Sequence, residues 1–279
     1  MAELHTLMTG LVFGESPRWH DDRLYCFDIA TNQVLASNLQ GHADVIVREP
    51  VGVASIGFLD GALLVAQRGG LIRRMQADGS FVTHADLSTL SDKPWNDMVV
   101  DGRGNIYIGN IGFDFPGGEF RPGMVALVSP DGSAQQVADG TAFANGMVVT
   151  PDNATLIVAE TYAHRLTAFD IAVDGSLSNR RVWADLPGSF PDGITLDAEG
   201  AIWYADVPGK RWVRVSEGGR VLQSIELDCG CFACTLGGED GTTLFMMAAH
   251  YPPATWGPDA PQTGQVLTTQ APAPRAGWP

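Results

Sequence analysis

One pattern recurs six times along the 279 residues, and a chain built that way has few folds open to it. Each copy opens on a polar or small residue, runs through alternating apolar residues, turns, and continues into a second strand-like run. The plainest copies are Asn96–Gly109 (NDMVVDGRGNIYIG) and Asp192–Ala205 (DGITLDAEGAIWYA). Asn145–Ala159 (NGMVVTPDNATLIVA) has one more residue in its turn, and Glu15–Asp28 (ESPRWHDDRLYCFD) is a shorter-turned relative. Ala54–Val65 and Phe232–Phe245 are weaker fifth and sixth copies. Apolar alternation is the period of a strand with two unlike faces. Asp-Gly, Glu-Gly and Asp-Asn turns suit hairpins because they tolerate positive φ at little cost. More strand-like sequence follows, such as Arg165–Asp170 and Trp212–Ser216, with turns at Asp78-Gly79, Asp131-Gly132 and Asp174-Gly175. Four strands per unit is the resulting expectation.

The units begin at Glu15, Ala54, Asn96, Asn145, Asp192 and Phe232, with spacings of 39, 42, 49, 47 and 40 residues. Blades of a propeller repeat every ~40–50 residues. The expected fold is all-β: one six-bladed β-propeller of four-stranded antiparallel blades, a single domain over 1–279. Such a ring has to close. Leu4–Phe13 precedes the first unit, and the last unit runs out near Gln265–Thr268, so the two are expected to share a sheet and hide their edges. The Pro-rich end from Ala271 to Pro279 reads as a surface tail.

Composition narrows the partners. The formal charge is −15, which repels polyanions and disfavours nucleic acid and anionic membrane surfaces. No apolar run approaches the ~20 residues that span a bilayer. The opening Met1-Ala2-Glu3-Leu4-His5 has no basic stretch leading into an apolar one, and four cysteines are too few for a disulfide scaffold. A reducing cytoplasm is the expected compartment.

The innermost strands of a propeller surround a central channel, so equivalent positions on different blades sit on one ring. Glu15, Asn96, Asn145 and Asp192 share the position that starts the inner strand, where Ala54 and Phe232 carry no ligand chemistry. Asn and Asp also start strands simply as turn formers. Four in register, each leading a run that should be buried, favour a shared site, because an unpaired buried carboxylate is costly. Carboxylates and amides without Cys or His make a hard oxygen site, suited to Ca²⁺, Mg²⁺ or Mn²⁺. Ca²⁺ is preferred for its tolerance of irregular geometry, and Zn²⁺ is a further option.

The motifs Gly14-Glu15-Ser16-Pro17, Trp95-Asn96-Asp97, Ala144-Asn145-Gly146-Met147 and Pro191-Asp192-Gly193-Ile194 resemble those of the senescence-marker-protein-30/gluconolactonase family, in order, over about residues 13–250. The resemblance implies a six-bladed propeller of metal-dependent hydrolases, notably sugar lactonases. It implies metal ligands at Glu15, Asn145 and Asp192, a substrate-facing Asn96, and an acidic substrate-side position at Asp114 in the Gly112–Phe115 loop, which could serve as a lid. Asp192 is expected as the base for water attacking a small lactone or ester. Gluconolactonase-like members often carry an Arg two residues before the Asn; here that position is Pro94. The departure keeps open a phosphotriesterase or another esterase on the same site. A non-catalytic calcium-binding propeller is a further alternative.

Other features carry less. Cys229-Gly-Cys231-Phe-Ala-Cys234 contains a Cys-x-x-Cys, but no second pair completes a zinc site, and buried small residues are the expected reading. His250 is placed at the cavity mouth. No Gly-x-Ser-x-Gly elbow is present, which disfavours a serine triad.

Overall fold

A computed structural model describes residues 3–48, 52–250 and 259–279; Met1 and Ala2 of the opening pentapeptide lie outside the described residues. Strand β1 is His5–Leu11. Blade one holds β2 (Gly14–His20), β3 (Arg23–Asp28), β4 (Gln33–Ser37) and β5 (Ala43–Arg48). Blade two holds β6 (Val53–Leu59), β7 (Ala62–Gln67), β8 (Leu71–Met75) and β9 (Phe81–Asp86). Blade three holds β10 (Trp95–Val100), β11 (Ile106–Asn110), β12 (Gly123–Val128) and β13 (Ala134–Thr141). Blade four holds β14 (Ala144–Val149), β15 (Thr155–Glu160), β16 (Arg165–Ile171) and β17 (Leu177–Asp185). Blade five holds β18 (Pro191–Leu196), β19 (Ile202–Asp206), β20 (Arg211–Val215) and β21 (Val221–Glu226). Blade six holds β22 (Gly230–Gly237), β23 (Thr243–Ala249) and β24 (Gly264–Gln270).

Every blade is a four-stranded antiparallel meander, and the sixth takes β1 as its outer strand in the order β1-β24-β23-β22. His5 pairs with Thr268 and Thr6 with Leu267, so the first strand is sealed against the last, as ring closure requires. Inner strands β2, β6, β10, β14, β18 and β22 touch in succession, and β22 returns to β2. This is the expected six-bladed propeller.

Packing departs from simple alternation. One apolar cluster lies between each pair of neighbouring blades: Phe27 and Val34 meet Ile56 and Val65 between blades one and two. Ile157 faces blade five while its neighbours Leu156 and Val158 face blade three. A sheet buried on both faces has no polar face, so β11 and β19 are buried at every position. Alternation survives only toward the rim, where β5 and β17 are largely exposed.

Local turn chemistry fits the hairpins. The β2–β3 turn puts Asp21 and Asp22 at φ 44° and 56°, and the β6–β7 turn puts Asp60 and Gly61 at 49° and 75°. Two consecutive positive φ values match the right-handed twist of the strands they join. Outer hairpins reuse one device: the Asp78, Asp131 and Asp174 carboxylates each accept from the backbone N–H and hydroxyl of the serine two residues on.

The four cysteines are free and buried, as expected. Burial, with Asp28 nearby, pushes the Cys26 thiol up to about 12, so it is inert at neutral pH. Among the described residues no helix is long and apolar enough to cross a membrane.

The C-terminal segment is not a free surface tail. Ala271 and Ala273 are buried, and the chain runs as a strap over the far ends of the inner hairpins. Arg275 N donates to Gly241 O in blade six, Ala276 N to Leu196 O in blade five, and Trp278 exchanges both backbone hydrogen bonds with Val149 in blade four. Prolines that lack an N–H sit at 272, 274 and 279, away from these donors. Deleting residues 271–279 is expected to cost about 1–3 kcal/mol of stability, read as a lower midpoint in thermal and urea melts.

Candidate functional site

Each of the six inner strands breaks register at its start. The ladder slips between Glu15 and Arg18, Val53 and Ser55, Trp95 and Met98, Ala144 and Met147, Pro191 and Ile194, and Cys231 and Ala233. A bulge bends its strand and re-aims a side chain. Ser16 in the first of these takes φ 51°, a left-handed conformation uncommon for a residue with a Cβ. Glu15, Asn96, Asn145 and Asp192 all fall in these bulges and are partly accessible. They line an interior well at one end of the channel.

Glycines beside them serve packing rather than a turn. A Cβ on Gly146 would lie 2.6 Å from Asp192 O and from Ile194 N, and one on Gly193 would lie 2.6 Å from the Ala233 Cβ. The Asn-Gly and Asp-Gly pairs thus let the next inner strand come close beside the polar side chain.

Charge concentrates in the well. Burial raises the Glu15 carboxyl well above its usual range, with Asp192 and then Asp97 adding to the rise; the Ser16 N–H and Arg18 oppose it. Asp192 is pushed up to about 8 by burial and then by Asp97, against a hydrogen bond from Asn145. Glu15 and Asp192 therefore share one poorly solvated space. The Asn145 amide nitrogen also donates to Thr161 Oγ1 at 3.2 Å, which leaves its carbonyl oxygen for a cation. Asn96 Nδ2 donates to Ala144 O at 3.2 Å, which orients its own oxygen.

Four residues to which the sequence reading gave no role complete the centre: Arg18, Asp97, Ser16 and Ser55. Arg18, buried in β2, donates to Asp97 Oδ1 and Met98 O at 2.7 Å each. Ser16 and Ser55 bond to each other at 2.9 Å, and both reach Asp97. An Arg among inner strands that otherwise carry no Lys or Arg was the available signal. Asp114 is not brought in: it is exposed on the β11–β12 loop and paired with Lys93 Nζ at 3.1 Å.

Among the described residues no three His, Cys, Asp or Glu side chains group to hold a metal by themselves. The convergent set is instead two carboxylates and two amides. Its chemistry fits a hard divalent cation, which would relieve the repulsion that now raises Glu15 and Asp192.

Two outcomes follow. With Asp192 at about 8 in the folded protein and 3.8 as its reference, the cation-free protein binds more protons than the unfolded chain between those values. The associated stability is complete below the lower value and is lost as pH rises through the upper one, so melts of chelator-treated protein should weaken from about pH 4 to about pH 8. Asp192→Asn or added Ca²⁺ should flatten that slope. Gly146→Ala forces backbone against backbone and is expected to cost about 1–3 kcal/mol and to lower Ca²⁺ affinity in calorimetry.

Comparison with known proteins bears on the family and the fold. Pentonolactonase XacC of Haloferax volcanii is 30% identical over 77% of this chain and 70% of its own length. A luciferin-regenerating enzyme superposes with a TM-score of 0.85 at 20% identity, covering 99% of this chain and 98% of that one. The calcium-binding protein regucalcin from Agrobacterium tumefaciens superposes with a TM-score of 0.83 at 21% identity, covering 99% and 95%. The family model for the SMP-30/Gluconolactonase/LRE-like region matches residues 13–250, and the chain belongs to that family.

Proposed function

We propose that the chain is a metal-dependent hydrolase that opens a small lactone at the axial well. The observation that carries this reading is the meeting of two desolvated carboxylates, Glu15 and Asp192, from blades one and five in a well that solvent enters. A purely structural ion pair would join opposite charges there; like charges gathered in one pocket need a ligand. Likeness to a pentonolactonase supports the substrate class.

Glu15, Asn145 and Asp192 would hold the cation, with Ca²⁺ the best match to an all-oxygen donor set. When bound, it supplies Lewis acidity toward the substrate carbonyl and charge stabilisation for the oxygen that becomes anionic. Asp192 takes the proton from the attacking water. As the ring C–O bond breaks, the protonated carboxyl returns that proton to the leaving alkoxide. Asn96, anchored on Ala144 O, orients the substrate through its amide oxygen. Arg18 pairs with Asp97, the third carboxylate, whose charge still reaches Glu15 and Asp192.

The second reading is a non-catalytic calcium-binding propeller. It is supported by the likeness to a calcium-binding regucalcin and by a centre with fewer than three acidic, His or Cys ligands.

One comparison separates the two. Calcium-loaded protein is assayed against sugar lactones, simple γ- and δ-lactones and phosphotriesters, beside Asp192→Asn. The hydrolase reading expects lactone turnover, a loss of ~10²–10⁴-fold in the variant, and reversible inactivation by a chelator. Calcium binding by calorimetry with no turnover of any lactone or phosphotriester would establish the second reading instead.

A further inference from the structure

Above the ligand ring stands a second tier of side chains, set by strand register. The inner strands pair at their start with the ends of the second strands: Gly14 with Asp28, Val53 with Gln67, Trp95 with Asn110, Ala144 with Glu160, Pro191 with Asp206 and Gly230 with Ala249. The next residue in each case occupies the tier: Ile29, Arg68, Ile111, Thr161, Val207 and His250. Backbone bonds hold four of them alike, including Ile29 N to Phe13 O and Arg68 N to Gly52 O, both at 3.0 Å.

Most of the tier is already committed. Ile29 and Val207 pack with Phe13 and Phe232, and Ile111 packs with Phe113 and Phe143. The Thr161 hydroxyl accepts from Asn145 and donates to Pro191 O. His250 is exposed on blade six. Arg68 differs. Its stem lies against Gly52, where a Cβ would come 3.6 Å from its Cδ, and that residue leads into the inner strand of blade two. Burial lowers its pKa while Glu15 attracts it, which places the guanidinium within electrostatic reach of the axial carboxylate. Among the described residues it has no side-chain hydrogen bond or ion pair.

A half-buried guanidinium has five donors to satisfy, and leaving them unmet is costly. Glu15 is engaged once a cation sits on the axis. The tier positions on the blades to either side, Ile29 and Ile111, are apolar and offer it no partner. We infer that Arg68 binds an anionic group on the substrate, which makes the natural substrates acidic lactones or esters with a carboxylate, sulfonate or phosphate near the scissile carbonyl. This rests on the hydrolase reading and narrows its substrate class. The planar fork of Arg suits such oxyanions better than Lys does.

The test uses the calcium-loaded full chain and one γ-lactone in matched forms: ring carboxylate, sulfonate or phosphate, and the same ring with the carboxylate capped as a neutral amide. The three anionic arms rank the oxyanions. The wild type should favour at least one anionic form over the amide. Arg68→Gln should raise KM for that form by about tenfold or more with kcat little changed and leave the amide unaffected, and Arg68→Lys should recover part of the loss. A wild type that handles the amide as well as every anionic form, or an Arg68→Gln effect equal for both classes, would overturn the inference. If no lactone turns over, the hydrolase reading fails, and calorimetry with the ring-opened anionic hydroxy acid decides about Arg68. Tenfold weaker binding to Arg68→Gln then sustains its role, and unchanged binding removes it. Should Arg68→Gln fail to fold, the same comparisons are read on Arg68→Lys, expected to show a smaller loss confined to the anionic forms.

Discussion

The site depends on closure of the ring. Glu15 and Asp192 belong to strands that never pair with each other, and nothing local in the chain would hold them together. They meet because β1 seals β24, and with six blades fixed around one axis the inner strands come into contact in turn. Each blade interface contributes an apolar cluster, so separating one pair of blades would expose two buried sheet faces. The stability of the ring is therefore also the precision of the centre. The C-terminal strap adds to this from the far side, tying blades four, five and six by backbone bonds.

Inside the well the governing term is desolvation. Glu15 and Asp192 are raised first by burial and only then by neighbouring negative charge. Arg18 does not neutralise them outright, because Asp97 and the Met98 carbonyl already use its guanidinium. The result is a compensated lower layer, Arg18 with Asp97, beneath an uncompensated upper one. On the proposed reading, such an upper layer would take a cation, and one of its carboxylates would move a proton.

The six-fold repeat, the four-strand count, the sharing of one sheet by both chain ends, and the register of Glu15, Asn96, Asn145 and Asp192 were legible because each is a one-dimensional periodicity. What escaped was three-dimensional. The bulges that re-aim those residues leave no mark in hydrophobic spacing, and Gly146 and Gly193 read as turn formers until the neighbouring strand is seen 2.6 Å from a would-be Cβ. Alternation overstated the polar faces, since a blade between two others is apolar on both. Pro-rich composition suggested a loose tail from Ala271 onward, although Ala271, Arg275, Ala276 and Trp278 each donate a backbone N–H to a blade. Asp114 matched by position along the chain, but its side chain is exposed and its carboxylate is taken by Lys93.

The same kink opens the inner strands of blades two and six, where Ala54 and Phe232 stand in place of a polar side chain. The backbone there is already shaped for a donor that the sequence does not supply. A propeller of this kind can therefore change its coordination number, and with it the ion it prefers, by exchanging one side chain without rebuilding any strand. That latitude gives the scaffold vacant seats around a fixed table.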